Sequence, residues 1–208
     1  QGYEIVIHSD IFKKHFAHKK ISMYDFFSYE VNESLLLTKE EENMVCNLME
    51  MAWNEFNNKK DDFSIPIVLS YISTLLNLTE RFYARQFDTR KVLYNQLSND
   101  FFSLLKKYYF EITDNDIEQP TVQHFANQLN VTPNYLSDII KHYSGKSALT
   151  IIHDFVIEEA KNQLTKSNNT VSEISYQLGF EYPNYFSRLF KQKTNLSPSE
   201  YRKSVKSI

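Results

Sequence analysis

The sequence predicts a mainly α protein, and three observations carry that expectation. Only three Gly and five Pro occur in 208 residues, 15% of the residues are aromatic, and apolar side chains recur every three to four positions over long stretches. So few turn-formers disfavour a sandwich or barrel of many short strands. An apolar content of 42% excludes wholesale disorder, and the length suits one large domain or two small ones.

In chain order, Tyr3-Glu4-Ile5-Val6-Ile7-His8 has the look of a short strand. Residues 10 to 36 follow as an aromatic-rich, irregular stretch in which Tyr24, Phe26, Phe27 and Tyr29 are expected to cover a core. Thr38 with Glu41 three positions on forms a capping box, and Met44, Val45, Leu48, Met49, Ala52, Trp53 and Phe56 continue at helical spacing. A helix is therefore expected from about 39 to 58, stopping in the polar run after Asn57. A second should begin near Ser64, with Pro66 tolerated in its first turn, and extend to about 87. Its apolar residues lie almost all round, so it must bury more than one face, against its own domain or in a homodimer seam shared with the 39–58 helix. A third helix should cover about 93 to 110, and the polar run Thr113-Asp114-Asn115-Asp116 marks a boundary between a domain at 1–112 and another at 113–208.

The second part carries an internal duplication, the feature to seek first in any chain. Thr121-Val122-x-x-Phe125-Ala126-x-Gln128-Leu129 recurs 49 residues later as Thr170-Val171-x-x-Ile174-Ser175-x-Gln177-Leu178. Then Pro133-Asn134-Tyr135-Leu136-Ser137-Asp138-Ile139-Ile140-Lys141 recurs 50 residues later as Pro183-Asn184-Tyr185-Phe186-Ser187-Arg188-Leu189-Phe190-Lys191. Each copy reads as a short helix, a tight turn and a second helix. Thr170 and Glu173 cap the first helix of the later copy; Gly179 can end it in the left-handed conformation, a part Asn130 can play in the earlier copy. Pro133 and Pro183 suit a first helical turn.

This is the pattern of two helix-turn-helix units, at about 121–143 and 170–193, in which the second helix of each enters the DNA major groove. A plain helical hairpin would need the same periodicity but no particular chemistry outside. Here Leu136, Ile139, Ile140 and Phe186, Leu189, Phe190 fill one side, while Asn134, Ser137, Asp138 and Asn184, Ser187, Arg188 share the other. Arg can read guanine and Asn adenine, and Lys141, Lys191 and Lys193 follow where phosphates would be met. Between the units, Ile151, Ile152, Phe155, Val156, Ala160 and Leu164 form a stripe on a helix of about 147 to 166. Such a helix is roughly 30 Å long, close to the ~34 Å between successive major-groove faces, so one monomer could read two consecutive segments.

At these residues the chain resembles the AraC/XylS family of transcription activators. The resemblance covers about residues 110 to 205 and is strongest from Thr170 through Tyr201, including Gln177-Leu178-Gly179-Phe180 and Tyr185-Phe186-Ser187-Arg188-Leu189-Phe190-Lys191. It implies a seven-helix DNA-binding domain behind an N-terminal cupin-like effector or dimerisation domain, of which a final strand and the helices after it would remain here. It implies base reading by Asn134, Ser137 and Asp138 in the first unit and by Pro183, Asn184, Ser187 and Arg188 in the second. Phosphate contacts are then expected from Lys141, His142, Lys146, Tyr185, Lys191 and Lys193. Asp138 departs from the Arg often found in that place; it could accept from a cytosine amino group but not pair with guanine or phosphate. Contact with RNA polymerase and a small-molecule effector held upstream are further implications of the family.

Charge and cysteine content bound the rivals. The net charge of -3 gives no support to a purely electrostatic binder, but residues 1–114 carry 13 Lys/Arg against 17 Asp/Glu and residues 115–208 carry 10 against 9. Near the end Arg188, Lys191, Lys193, Arg202, Lys203 and Lys206 face the single acid Glu200. Cys46 alone allows neither a disulfide framework nor a thiolate zinc site, and no apolar run approaches a membrane span, so a reducing cytoplasm is expected. The opening at Gln1 in a strand-like run suggests a fragment whose upstream domain is absent. Catalysis is not expected: His15 and His18 have a spacing a metal could use but no third ligand, and phosphate-loop and nucleophile-elbow motifs are missing. No cofactor is expected either. The remaining alternative is a helical protein-interaction module without DNA binding.

Overall fold

A computed structural model of the chain describes residues 2–8, 10–11, 24–58, 61–110 and 120–206. It divides into two compact units, Gln1–Lys91 and Val92–Ile208. Among the described residues there are helices and turns but no strand. Residues 2–8, expected as a strand, run without one. Alternating side chains make a strand only where a neighbour takes up its backbone N–H and C=O groups, and the described residues supply none.

In the first unit, α1 (Lys39–Asn57) starts where the capping box places it: Thr38 Oγ1 accepts from the Glu41 N–H, and the Glu41 carboxylate accepts from the Thr38 N–H. Helix α2 (Ser64–Thr89) packs along it, burying Leu69, Ile72, Leu75, Leu78 and Phe82. The aromatic stretch does cover this pair. Tyr24 is buried, Phe26 stacks on Tyr83 with ring centroids 5.9 Å apart, and Tyr29 meets the same ring edge-on. Buried Gln86 pins the chain before α1, accepting from the Leu36 N–H at 2.7 Å and donating to the Ser34 carbonyl. Residues 3–8 lie along α1 and α2 over an apolar cavity of about 270 Å³ lined by Met49, Ala52, Trp53, Leu69 and Ile72.

The second unit holds seven helices among the described residues: α3 (Lys91–Phe110, whose first residue closes the other unit), α4 (Val122–Gln128), α5 (Pro133–Ser144), α6 (Ala148–Lys166), α7 (Val171–Gln177), α8 (Pro183–Thr194) and α9 (Pro198–Lys206). Helix α3 belongs to this core. Phe101 and Leu105 are fully buried in one cluster with Phe125, Leu136, Ile152 and Val156, and Phe101 meets Phe125 edge-on at 5.4 Å. The boundary expected at 112/113 and the run Thr113–Asp116 lie outside the described residues. Helix α6 is the axis of the unit; Ile152, Val156, Ile157, Ala160 and Leu164 are buried along its length and touch both helical pairs.

Three buried side-chain polar atoms lack a hydrogen-bond partner among the described residues, the Tyr109 hydroxyl, Gln163 Oε1 and the Ser175 hydroxyl, and the last has a counterpart in the other copy. Ser175, fully buried in α7, has no hydrogen-bond partner for its hydroxyl, whereas the equivalent residue of the first pair is Ala126, equally buried. Burying a hydroxyl without a partner costs roughly 1–3 kcal/mol. Ser175→Ala is therefore expected to raise stability by about 1 kcal/mol, read as a higher urea midpoint at unchanged slope.

Candidate nucleic-acid interface

The two helical pairs share most of their local devices, at an offset of 49 and then 50, although Thr132 caps α5 with its side chain and Tyr182 does not cap α8. Thr121 Oγ1 accepts from the His124 N–H at 3.1 Å to open α4, and Thr170 Oγ1 accepts from the Glu173 N–H at 3.2 Å to open α7. Glu173 completes its box by accepting from the Thr170 N–H at 2.6 Å, and these bonds hold its carboxyl below the usual carboxylate range. The turn after each helix is closed by one matched bond: Val131 N–H to the Ala126 carbonyl and Phe180 N–H to the Ser175 carbonyl, both 3.0 Å. Left-handed residues sit at matched places, Asn130 (φ 54°) opposite Gly179 (φ 81°) and Gly145 (φ 73°) opposite Asn195 (φ 63°). Gly and Asn exchange places between the copies because either adopts positive φ at little cost.

Both second helices begin with Pro in the first turn and bury one side only. On α5, Tyr135, Leu136, Ile139 and Ile140 are buried, Asn134, Lys141 and His142 are exposed, and Ser137 and Asp138 are half-buried. On α8, Phe186, Leu189 and Phe190 are buried, Asn184, Tyr185, Arg188 and Lys191 are exposed, and Pro183 and Ser187 are half-buried. The sequence-expected base-reading residues thus share the open side of each helix. Tyr135 anchors α5 from below, its hydroxyl 3.1 Å from that of buried Tyr94 on α3. The exposed guanidinium of Arg188 lies 5.4 Å from the centre of the Tyr185 ring, a cation–π contact.

The expected phosphate contacts divide into two groups. Lys141, His142, Lys191 and Tyr185 stand at the surface. Lys146 and Lys193 do so while tied to one acid: Asp154 on α6 takes the Lys146 ammonium on Oδ2 at 2.8 Å and the Lys193 ammonium on Oδ1 at 2.7 Å. Partial burial would raise the Asp154 carboxyl, but the two ammoniums outweigh it and hold it below its ordinary value. One carboxylate so links the segment after α5, the spacer helix and the last turn of α8. Sequence reasoning missed this fork, since its partners stand 8 and 39 residues from Asp154. Arg202, counted above in the basic C-terminal cluster, turns inward and donates to the Leu164 and Asn169 carbonyls at 3.2 and 2.6 Å, closing the end of α6.

No group of three or more His, Cys, Asp or Glu is placed to hold a metal among the described residues, and His15 and His18 lie outside them. Cys46 is a half-buried free thiol. No helix among the described residues is long and apolar enough to cross a membrane.

Two capped hairpins with open second helices, spaced by one rigid helix, define a tandem helix-turn-helix domain. Residues 125–204 match the family model described as "Helix-turn-helix domain". Among curated proteins, histidine kinase P4 of Formosa agariphila is 35% identical over 100 residues, covering 48% of this chain and 7% of that protein. The raffinose operon transcriptional regulatory protein RafR of Pediococcus pentosaceus is 33% identical over 85 residues, covering 41% of this chain and 31% of that protein. Among solved structures, the C-terminal domain of AraT, a response regulator from Geobacillus stearothermophilus, is 28% identical with a TM-score of 0.45, covering 52% of this chain and 84% of that one. The chain thus spans less than a third of either curated relative's length. Over residues 125–204 the chain is thus similar to helix-turn-helix domains.

Proposed function

We propose that this chain is a sequence-specific DNA-binding transcription regulator that lays α5 and α8 into two successive major-groove segments on one side of the duplex. The observation that carries this is the repetition itself. The first-helix caps, turn bond and left-handed residues recur at offsets of 49 and 50, and both copies keep the same polar side open. Helix α6, 19 residues long, gives a rigid spacer of about 28 Å, near the groove repeat. Asn134, Ser137, Asp138, Pro183, Asn184, Ser187 and Arg188 supply the base contacts, and Lys141, His142, Lys146, Tyr185, Lys191 and Lys193 the phosphate contacts.

The first unit supports a second part of the reading, a homodimer through α1 and α2, with Gln1–Lys91, rather than the 1–112 expected from the sequence, forming the end of an effector or dimerisation domain. Trp53 is 67% and Phe63 70% exposed, and Met44, Met51, Phe56, Ile65 and Ile67 add to the apolar surface on the same helices and the turn between them. Side chains of this size left in water favour a partner. An activator's contact with RNA polymerase, a small-molecule effector held upstream and a cytoplasmic setting complete the proposal.

Retention of duplex DNA at low salt is the test. If Lys141, Lys146, Lys191 and Lys193 each neutralise one phosphate, log affinity should fall against log salt with a slope of about -3.6. Fluorescence anisotropy on genomic fragments measures it. Binding that is absent, or indifferent to salt, would favour the protein-interaction alternative. Fragments recovered by selection should carry two short motifs about one helical turn apart.

A further inference from the structure

Between the N-terminal half of α6 and the side of α8 next to its open face lies a cleft of roughly 330 Å³, lined by Thr150 and His153 from α6 and by Tyr185, Arg188, Gln192 and Lys193 from α8. Every ionisable side chain on its walls other than Tyr185 is a cation or becomes one on taking a proton. The nearest acid, Asp154, has each of its oxygens occupied by an ammonium, Lys146 on one and Lys193 on the other. Thr150 Oγ1 lies 2.9 Å from Ser147 Oγ and can still accept or donate on its other side. Arg188 stands at the mouth, held against Tyr185. The walls thus bring hydroxyl, amide, imidazole, guanidinium and ammonium groups around one space, beside the apolar Leu189, a set suited to a tetrahedral oxyanion. We propose that this cleft is a phosphate site, which seats one backbone phosphodiester of the DNA strand crossing between the two recognition helices. It rests on the DNA-binding reading above and adds Thr150, His153 and Gln192, none of which the sequence singled out.

Filling the site has a proton cost of definite sign. In the free chain burial, with the Lys193 charge, lowers the His153 imidazole below its usual range, and Asp154 offsets only part of this. The charged groups around it are Lys193 and Arg188 from α8 and Asp154 on its own helix, with Lys146 behind Asp154. A phosphate brings negative charge and accepts an N–H, both of which favour the imidazolium. His153 therefore titrates higher in the complex than in the free chain. Affinity should grow as pH falls through the bound-state value and level off below the free-state value, by at most tenfold per pH unit for one proton.

The test uses the whole chain and two probes. Ring resonances of His153 are followed by NMR against pH, first in chloride and then in inorganic phosphate at matched ionic strength. The midpoint is expected to start below 6.5, the ordinary histidine value, and to move up in phosphate. Gln192→Leu and Thr150→Val, surface changes that spare the core, should each shrink that movement, with the midpoint of His8, in the other unit, as the internal control. In parallel, affinity for a random-sequence duplex is measured from pH 8 down to 6. It should rise in the native chain and flatten in His153→Gln but not in His8→Gln, a change in the other unit. A His153 midpoint identical in chloride and phosphate, in a chain that does bind duplex, overturns the cleft and leaves the DNA reading standing. A His153 that answers to phosphate in a chain binding no duplex overturns the DNA reading, and with it this ligand, while keeping the anion site.

Discussion

Phe190→Ala should cost the C-terminal unit about 3–5 kcal/mol, the range for truncating a fully buried aromatic. Phe190 has no exposed surface and stands between Phe186, with ring centroids 5.8 Å apart, and Tyr201, at 5.5 Å. It is therefore the residue through which α8 is fastened to α9, and a cavity there would be walled by two other rings with little freedom to collapse. Against a total stability of roughly 5–15 kcal/mol for a domain, the loss is a large fraction. Urea unfolding followed by circular dichroism should show a much lower midpoint, while Tyr176→Ala, at a site 53% exposed on α7, should stay within about 0.5 kcal/mol of the parent. Equal effects of the two changes would mean that α8 is not anchored through this ring.

Much of the fold was legible because its signals are local. The capping boxes at Thr38–Glu41 and Thr170–Glu173 need only residues three apart, and both form. The left-handed turn at Asn130 followed from its alignment with Gly179, and the spacer helix from an apolar stripe that the structure buries along its length. The duplication did the rest, since two copies of a weak pattern in one register make a strong one.

What stayed hidden depends on neighbours that periodicity does not name. The apolar face of α3 is plain in the sequence, yet nothing in Phe101 or Leu105 says that it joins the helix-turn-helix core rather than the helices before it. The Tyr3–His8 run alternates like a strand, but alternation describes one chain and a strand requires two. The short turns at Asp25–Ser28 and Val31–Glu33 are each held by two backbone bonds, the second also by the Glu33 carboxylate accepting from the Glu30 N–H, too little to leave a pattern. The Asp154 fork lies in the same class. An acid between two basic segments is common, and only the fold brings Lys146 and Lys193 to the same carboxylate.

The functional reading is most sharply exposed at Arg188. Arg188→Ala is expected to relax discrimination at one or two base pairs, at a cost of ~1–3 kcal/mol for the preferred sequence and little for the others. The exposed guanidinium lies against the Tyr185 ring on the open side of α8, so removing it deletes the donors best suited there to read guanine. Lys191→Ala, one turn nearer the end of the helix, should instead weaken all sequences alike and reduce the salt slope by about 1. The pair separates two kinds of contact on a single helix: selection from random DNA with each variant would show a blurred motif for the first and an unchanged motif at lower yield for the second. A motif left intact by Arg188→Ala would mean that α8 meets the duplex through a different face, and the phosphate cleft beside it would then have to be reassigned as well.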